Sequence, residues 1–286
     1  MRTRRIGDVE VSAIGLGAMP MSSEFGKDRQ ASLTTVHAAL EAGVTLIDTA
    51  DAYCTSSADF GDNERFVAEV LAAYPGDTSA VLVATKGGHT RDEQGAWGLN
   101  GDPGYLKQAC DASLKRLGVD VIGLYQFHRP DPRVPIGDSV SALRDLLDAG
   151  KIRYAGVSNF NPAEIRQANE ILGGRLVSVQ NQYSPAFRSS EPELALCAEL
   201  GIAFLPWSPL GGIAKAAELG SGFAAFAEVA DGRGVSPQQV CLAWMLAKSE
   251  VVIPIPGASR TASVLDSVAA VHLELSAEEI AHLDRI

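Results

Sequence analysis

Short β-branched apolar runs alternate along this chain with stretches in which apolar side chains return every three or four residues. The runs lie at 45–49, 81–85, 121–127, 154–157, 177–180, 203–206 and 251–255. The stretches at 32–42, 63–73, 104–117, 139–149, 162–172, 192–200, 237–248 and 261–269 read as amphipathic helices, because a 3.6-residue period gathers their apolar side chains on one face. The first gathers Leu33, Val36, Ala39 and Leu40, the second Phe66, Val67, Val70 and Leu71. Asn161 before Pro162 and Ser236 before Pro237 each set a capping side chain ahead of a proline. At the first helical position a proline's missing N–H costs nothing and its fixed φ is already helical. A last helix is expected at 277–283.

Most of the runs are apolar throughout rather than alternating, as strands of a parallel sheet covered on both faces are. Ahead of them, 3–6 and 9–14 flank Gly7-Asp8, the pattern of a hairpin with a two-residue turn. If 14–17 opens the first strand of the sheet and the seven runs follow, eight strands result. The predicted class is α/β: a (β/α)₈ TIM barrel with an N-terminal β-hairpin, in one domain over 1–286. A doubly wound open sheet is the competing arrangement. In a barrel, chemistry sits where strands end and βα loops begin, so polar residues at those points matter most.

Composition narrows the setting. The 286 residues are 46% hydrophobic and 21% charged, which excludes disordered and fibrous classes and suffices for a core without staples. The net charge of −11 repels nucleic acid and anionic membrane, and Arg2, Arg4 and Arg5 make too short a basic stretch to reverse that. Neither nucleic acid nor membrane is an expected partner. Cys54, Cys110, Cys197 and Cys241 are far apart without a CxxC pair, as free thiols of a reducing compartment are. The N-terminus lacks a continuous apolar leader and no run reaches the length of a membrane span, so the expected location is the cytoplasm. The five histidines show no ligand spacing, and no metal is expected.

Taken in order, the strand ends deliver Asp48, with Tyr53 five residues later in DTADAY, then Lys86, His128, Ser158 with Asn159, Gln180, and Trp207 with Ser208. The last run ends at Gly257, with Ser259 and Arg260 just beyond. Each has a plain reading alone: a packing tyrosine, a solvated lysine, a satisfied core histidine, an aspartate capping a helix. Together Asp48, Tyr53, Lys86 and His128 make chemical sense. Reducing a carbonyl requires a hydride and then a proton on the developing alkoxide. A tyrosine is protonated at neutral pH and donates better if its phenolate is stabilised. An ammonium such as that of Lys86 does this, roughly 4 kcal/mol lowering the phenol by about three pH units. Asp48 can keep Lys86 charged by pairing, and His128 can hydrogen-bond the substrate oxygen.

Eight motifs, in order and over nearly the whole chain, carry a family resemblance. They are Gly15-Leu16-Gly17-Ala18-Met19, Asp48-Thr49-Ala50-Asp51-Ala52-Tyr53, Ala84-Thr85-Lys86, Gln126-Phe127-His128, Gly156-Val157-Ser158-Asn159-Phe160, Gln180-Asn181-Gln182-Tyr183, Pro206-Trp207-Ser208-Pro209-Leu210 and Ile255-Pro256-Gly257. The sequence resembles the aldo-keto reductase superfamily. The resemblance implies an NADPH-dependent reductase of aldehydes or ketones and the same roles for Asp48, Tyr53, Lys86 and His128. It implies that Ser158, Asn159 and Gln180 bond the nicotinamide carboxamide, that Trp207 stacks on its ring, and that Gly17, Met19 and Asp48 also line the cofactor. Ser208, Leu210 and Gly212 would follow the pyrophosphate. Gly257, Ser259, Arg260 and Ser263 would meet the adenosine 2′-phosphate at a helix N-terminus.

Two departures stand out. Cys54 follows Tyr53 where the family usually has glycine, in a longer loop to Asn63-Glu64; it is a candidate reactive thiol beside the plainer reading of an inert loop cysteine. Arg260 is the one basic residue of the 257–263 window, so NADPH is expected and NADH is possible. Loops 19–25, 89–102, 129–135 and 183–187 would shape the substrate pocket, with Phe25, Trp97 and Arg129 in it. The chain ends at Ile286 without the long C-terminal loop of some relatives, which implies an open, tolerant mouth. The expected partner is a small-molecule carbonyl compound (sugar-like, pyridoxal-like or polyketide-like), for a monomer or a homo-oligomer. Rival readings are a cofactor-sensing regulatory subunit on the same scaffold, an NADH-preferring enzyme of the family, and a Rossmann-type dehydrogenase. For the last, Gly15-Leu16-Gly17 begins a fingerprint that Pro20 breaks.

Overall fold

The structure, a computed structural model, describes residues 1–21, 28–212 and 216–285. Phe25 and Ile286 lie outside them. Strands β1 (Thr3–Ile6) and β2 (Val9–Ser12) form the expected antiparallel hairpin around Gly7-Asp8. Gly7 adopts a φ of 60°, open to a residue without Cβ. The hairpin sets Ile6 and Val11 into one apolar cluster with Leu46, Leu82, Leu124 and Ile253, and so plugs the end of the barrel away from the loops that matter.

The sheet begins at β3 (Leu16–Gly17) and continues through β4 (Leu46–Asp48) and β5 (Leu82–Gly87). A small antiparallel hairpin, β6 (His89–Arg91) and β7 (Trp97–Leu99), stands on β5. Strands β8 (Ile122–Phe127), β9 (Ile152–Ser158), β10 (Leu176–Gln180) and β11 (Ala203–Phe204) complete it. Among the described residues seven parallel strands pair in the order β11-β10-β9-β8-β5-β4-β3.

The eighth run differs from expectation in a way its prolines explain. Pro254 and Pro256 have no N–H for a ladder, so 251–257 is not a regular strand. It is nonetheless bonded on both sides. Toward β11, Val251 O accepts from Phe204 N at 2.8 Å, and the N–H groups of Ile253 and Ile255 reach Phe204 O and Pro206 O at 2.8 and 3.2 Å. Toward β3, the proline carbonyls accept from Gly15 N and Gly17 N at 2.9 and 3.0 Å. The prolines face the side on which only their carbonyls are needed, and the cylinder closes. The closed cylinder rules out the doubly wound sheet.

Eleven α-helices are described: α1 (Arg29–Glu41), α2 (Asp62–Ala73), α3 (Pro103–Leu117), α4 (Ile136–Asp148), α5 (Pro162–Ile171), α6 (Glu191–Leu200), α7 (Leu219–Gly222), α8 (Ala224–Arg233), α9 (Pro237–Lys248), α10 (Thr261–Ala269) and α11 (Ala277–Leu283). The caps behave as the sequence indicates: Asn161 accepts from Glu164 N, and Ser236 from Gln239 N. Helices α7 and α8 and the β6–β7 hairpin are not among the expected elements. Helix α8 buries only Phe226, Val229 and Ala230, and strands of three residues carry no readable period. No helix among the described residues is long and apolar enough to cross a membrane.

Gly17 lies at the seam, paired with Asp48 on one side and Gly257 on the other. A Cβ there would stand 2.9 Å from the backbone oxygen of Ile255, which cannot swing aside. Gly17→Ala is expected to cost about 1–3 kcal/mol and to lower the thermal midpoint by several degrees, followed by circular dichroism. An unchanged midpoint would show that 251–257 does not press on β3.

Candidate active site

The barrel brings the sequence-selected groups to one mouth because each follows or ends a parallel strand. The tightest contact is around Lys86. Its side chain has no exposure, and its Nζ donates to Asp48 Oδ1 at 2.6 Å, to Thr49 O at 2.9 Å and to Tyr53 Oη at 3.2 Å. Asp48, 3% exposed, accepts on its other oxygen from Gln180 Nε2 at 2.8 Å and Gln126 Nε2 at 3.5 Å. Because the ammonium donates to Tyr53, the phenol's own proton is left to point elsewhere. Gln126 had no role in the sequence reading; a glutamine in the otherwise apolar strand IGLYQF was the signal.

Electrostatics correct one expectation. Lys86 does pull the Tyr53 phenol down, but burial raises it more, and Asp48 and Asp51 add to the rise. The net direction is upward, so Tyr53 is held as the neutral phenol. Burial would lower the Lys86 ammonium, but Asp48 and Tyr53 outweigh it and hold Lys86 above its ordinary value. Burial, aided by Lys86, His89 and Arg129, pushes His128 well below the usual imidazole range, so it is neutral at pH 7. His128 stands edge-on to Tyr53, with ring centroids 5.7 Å apart, and to His89 at 4.3 Å. Its Nδ1 is buried without a partner among the described residues. Burial also brings His89 down to about 4, and its Nδ1 lies 3.1 Å from Gly98 O. That carbonyl can only accept, so the His89 proton sits on Nδ1.

A cavity of about 540 Å³ opens over these groups. Its wall includes Gly17, Met19, Asp48, Tyr53, Trp97, His128, Arg129, Ser158, Asn159, Gln180, Trp207, Ser208, Leu210, Gly212 and Gly257, all selected from the sequence. Lys86 lies behind Tyr53 rather than on the wall, and Ser259, Arg260 and Ser263 lie beyond it. Pro20 and His89, from the expected pocket loops 19–25 and 89–102, also line it, as do Pro209, Ala216, Ile255 and Pro256, which had no site role in the sequence reading. Cys54 is fully buried with Sγ 3.5 Å from Ala52 O and is not on the wall, which favours the inert reading.

The polar groups on the β9–β11 side are tied to one another. Ser158 Oγ donates to Gln180 O at 2.7 Å, Asn159 Nδ2 to His128 O and Ser158 Oγ at 3.0 Å each, and Trp207 Nε1 to Asn159 Oδ1 at 3.3 Å. Asn159 and Ser208 have φ of 62° and 51°, a left-handed backbone that costs a non-glycine residue free energy and gathers at functional sites. Helix α10 begins just past Gly257 without a side-chain cap or an acidic residue in its first turn. The exposed side chain of Arg260 beside it has no hydrogen bond or ion pair with a described residue.

Known proteins share this chain's sequence pattern and fold. Residues 13–286 match the model of the aldo/keto reductase family. A 6-dehydroglucose reductase of Novosphingobium aromaticivorans is 35% identical, the match covering 95% of this chain and 90% of that protein. The structure of a glycerol dehydrogenase from Gluconobacter oxydans superposes with a TM-score of 0.85 at 26% identity, covering 99% of this chain and 94% of that one. An aldo/keto reductase from Klebsiella pneumoniae, in complex with NADP and acetate, does so at 0.80 and 28% identity with the same coverage. The barrel and the family resemblance read from the sequence are both borne out.

Removing the Asp48 carboxylate leaves a buried ammonium without its counter-charge. Asp48→Asn is expected to cost about 3–5 kcal/mol of stability, measured by urea unfolding. Wild-type stability in that variant would mean that Lys86 is compensated elsewhere.

Proposed function

The chain belongs to the aldo/keto reductase family, and on that premise we propose that it reduces the carbonyl of a small molecule to an alcohol with NADPH, Tyr53 being the proton donor. The observation that carries this reading is the 3.2 Å contact between Lys86 Nζ and Tyr53 Oη at the cavity wall, with Asp48 2.6 Å behind the ammonium. A reduced nicotinamide, when bound, supplies the hydride. Tyr53, kept as a phenol by burial, gives its proton to the carbonyl oxygen as negative charge grows there. Lys86 then faces the phenolate that remains and lowers its energy. Asp48 keeps Lys86 charged through the cycle. His128, neutral, donates an N–H to the same oxygen and fixes it within reach of Tyr53.

The residues fit a dinucleotide. Ser158, Asn159 and Gln180 would meet the carboxamide and Trp207 the ring face. Gly17, Met19, Ser208, Leu210 and Gly212 would follow the rest of the molecule past Gly257. The uncapped start of α10, with Arg260 unopposed and Ser259 and Ser263 beside it, suits a 2′-phosphate. NADP is bound in the Klebsiella pneumoniae relative. A pure cofactor sensor has less use for the assembled Lys86–Tyr53 contact than a reductase has.

Tyr53→Phe is expected to lower kcat for carbonyl reduction by about 10²–10⁴-fold while NADPH, followed by its fluorescence, still binds; retained reduction would refute the role of Tyr53. Initial rates are expected to favour NADPH over NADH, and Arg260→Ala to cut that preference about tenfold. Equal or faster wild-type turnover with NADH would overturn the cofactor assignment.

A further inference from the structure

Residues 128–133 read His-Arg-Pro-Asp-Pro-Arg, so two guanidinium groups flank one carboxylate. The structure gives that carboxylate wholly to the second. Asp131 Oδ1 accepts from Arg133 N and Nε at 3.0 and 2.9 Å, and Oδ2 from Arg133 Nη2 and Gly101 N at 2.8 and 3.1 Å. Arg129 is left over. It is partly buried on the cavity wall and makes no hydrogen bond, ion pair or ring contact with a described residue. Burial depresses its guanidinium, and no carboxylate of a described residue acts against that. A partly desolvated cation without a counter-charge is costly, and a ligand that brings an anion removes the cost.

The surrounding charges say which anion. Tyr53, His89, Trp97 and His128 share this wall with Arg129. Lys86 is matched by Asp48, and both histidines are neutral. Among the described residues, Arg129 is therefore the uncompensated positive charge on the substrate side of the cavity. The phosphates of a dinucleotide, on the reading above, lie away from it, past Gly257 and toward α10. A guanidinium fork fits a planar carboxylate with two parallel hydrogen bonds. One cation balances a monoanion, whereas a phosphate dianion would keep an unmet charge. A proline at 130 disfavours the helical backbone at Arg129, which limits the freedom lost on binding.

We propose that Arg129 binds a carboxylate of the substrate, so that the preferred substrates are aldehydes or ketones carrying a carboxylate, their carbonyl at Tyr53. This rests on the reductase reading and names its substrate class. The test compares kcat/KM, with NADPH, for 4-oxobutanoate and its neutral isostere 4-oxobutanamide. The wild type is expected to favour the acid by about tenfold or more, Arg129→Gln to abolish that ratio, and Arg129→Lys, a point charge without the fork, to keep part of it. Equal wild-type values, or a ratio that survives Arg129→Gln, would overturn the proposal. If neither compound is reduced, the reductase reading fails instead, and a binding measurement still decides. Butanoate should quench tryptophan fluorescence with an affinity about tenfold weaker in Arg129→Gln, and butanamide should not. Butanoate binding that ignores the substitution would overturn the proposal.

Discussion

A lysine ammonium buried to zero exposure constrains everything near it, because an unmatched charge in that position would cost more than the fold can supply. Lys86 on β5 is matched by Asp48 on β4, by the Thr49 carbonyl and by Tyr53 in the following loop. Asp48 is held in turn by Gln180 on β10 and Gln126 on β8. Four strands that are not all neighbours are thereby tied through one carboxylate at the centre of the mouth. The ion pair on which the proposed proton transfer rests is thus also a tie between the strands that carry it.

Strand alternation provides the support behind it. Lys86 points inward, so Thr85 points to the helices, where it donates to Glu64 Oε1 at 2.6 Å while Arg116 Nε donates to Oε2 at 2.5 Å. Thr49 Oγ1 donates to Asn63 Oδ1 at 2.6 Å, and Asn63 Nδ2 to Ala18 O at 2.8 Å. Both ties anchor α2 to the strands, and with it the loop that carries Tyr53. Asp51, fully buried in that loop, is pushed well above the usual carboxylate range by burial and by Glu64.

Much of this was legible in the sequence because strand ends are local. A polar residue closing an apolar run announces itself, and Asp48, Lys86, His128 and Gln180 did so. What was not legible depends on partners far along the chain. The prolines of 251–257 look like ordinary strand residues until the neighbour on each side is known. Gln126 and His89 matter for what faces them, not for what adjoins them. The direction in which Tyr53 shifts depends on how much water is excluded around it, and residue spacing contains no such quantity. Arg129 and Arg133 are equal claimants on Asp131 in the sequence; only folding shows which one remains unpaired.

A parallel barrel orders its loops as it orders its strands, and this divides the mouth into two arcs. Strands β9, β10 and β11, the closing segment 251–257 and β3 contribute Ser158, Asn159, Gln180, Trp207, Ser208, Gly257 and Gly17. These are uncharged groups, several bonded to each other and two on a left-handed backbone. Strands β4, β5 and β8 contribute Asp48, Tyr53, Lys86, His89, His128 and Arg129, every one of them titratable. A flat, neutral amide ring is best held by the first kind of surface, and moving a proton or holding an anion requires the second. The arcs meet where Asn159 Nδ2 donates to His128 O at 3.0 Å. That bond joins the left-handed Asn159 on one side to the main chain of His128 on the other, just as Gln180 Nε2 on the first arc donates to Asp48 Oδ2 on the second at 2.8 Å, so each arc is braced against the other by side chains of the uncharged one.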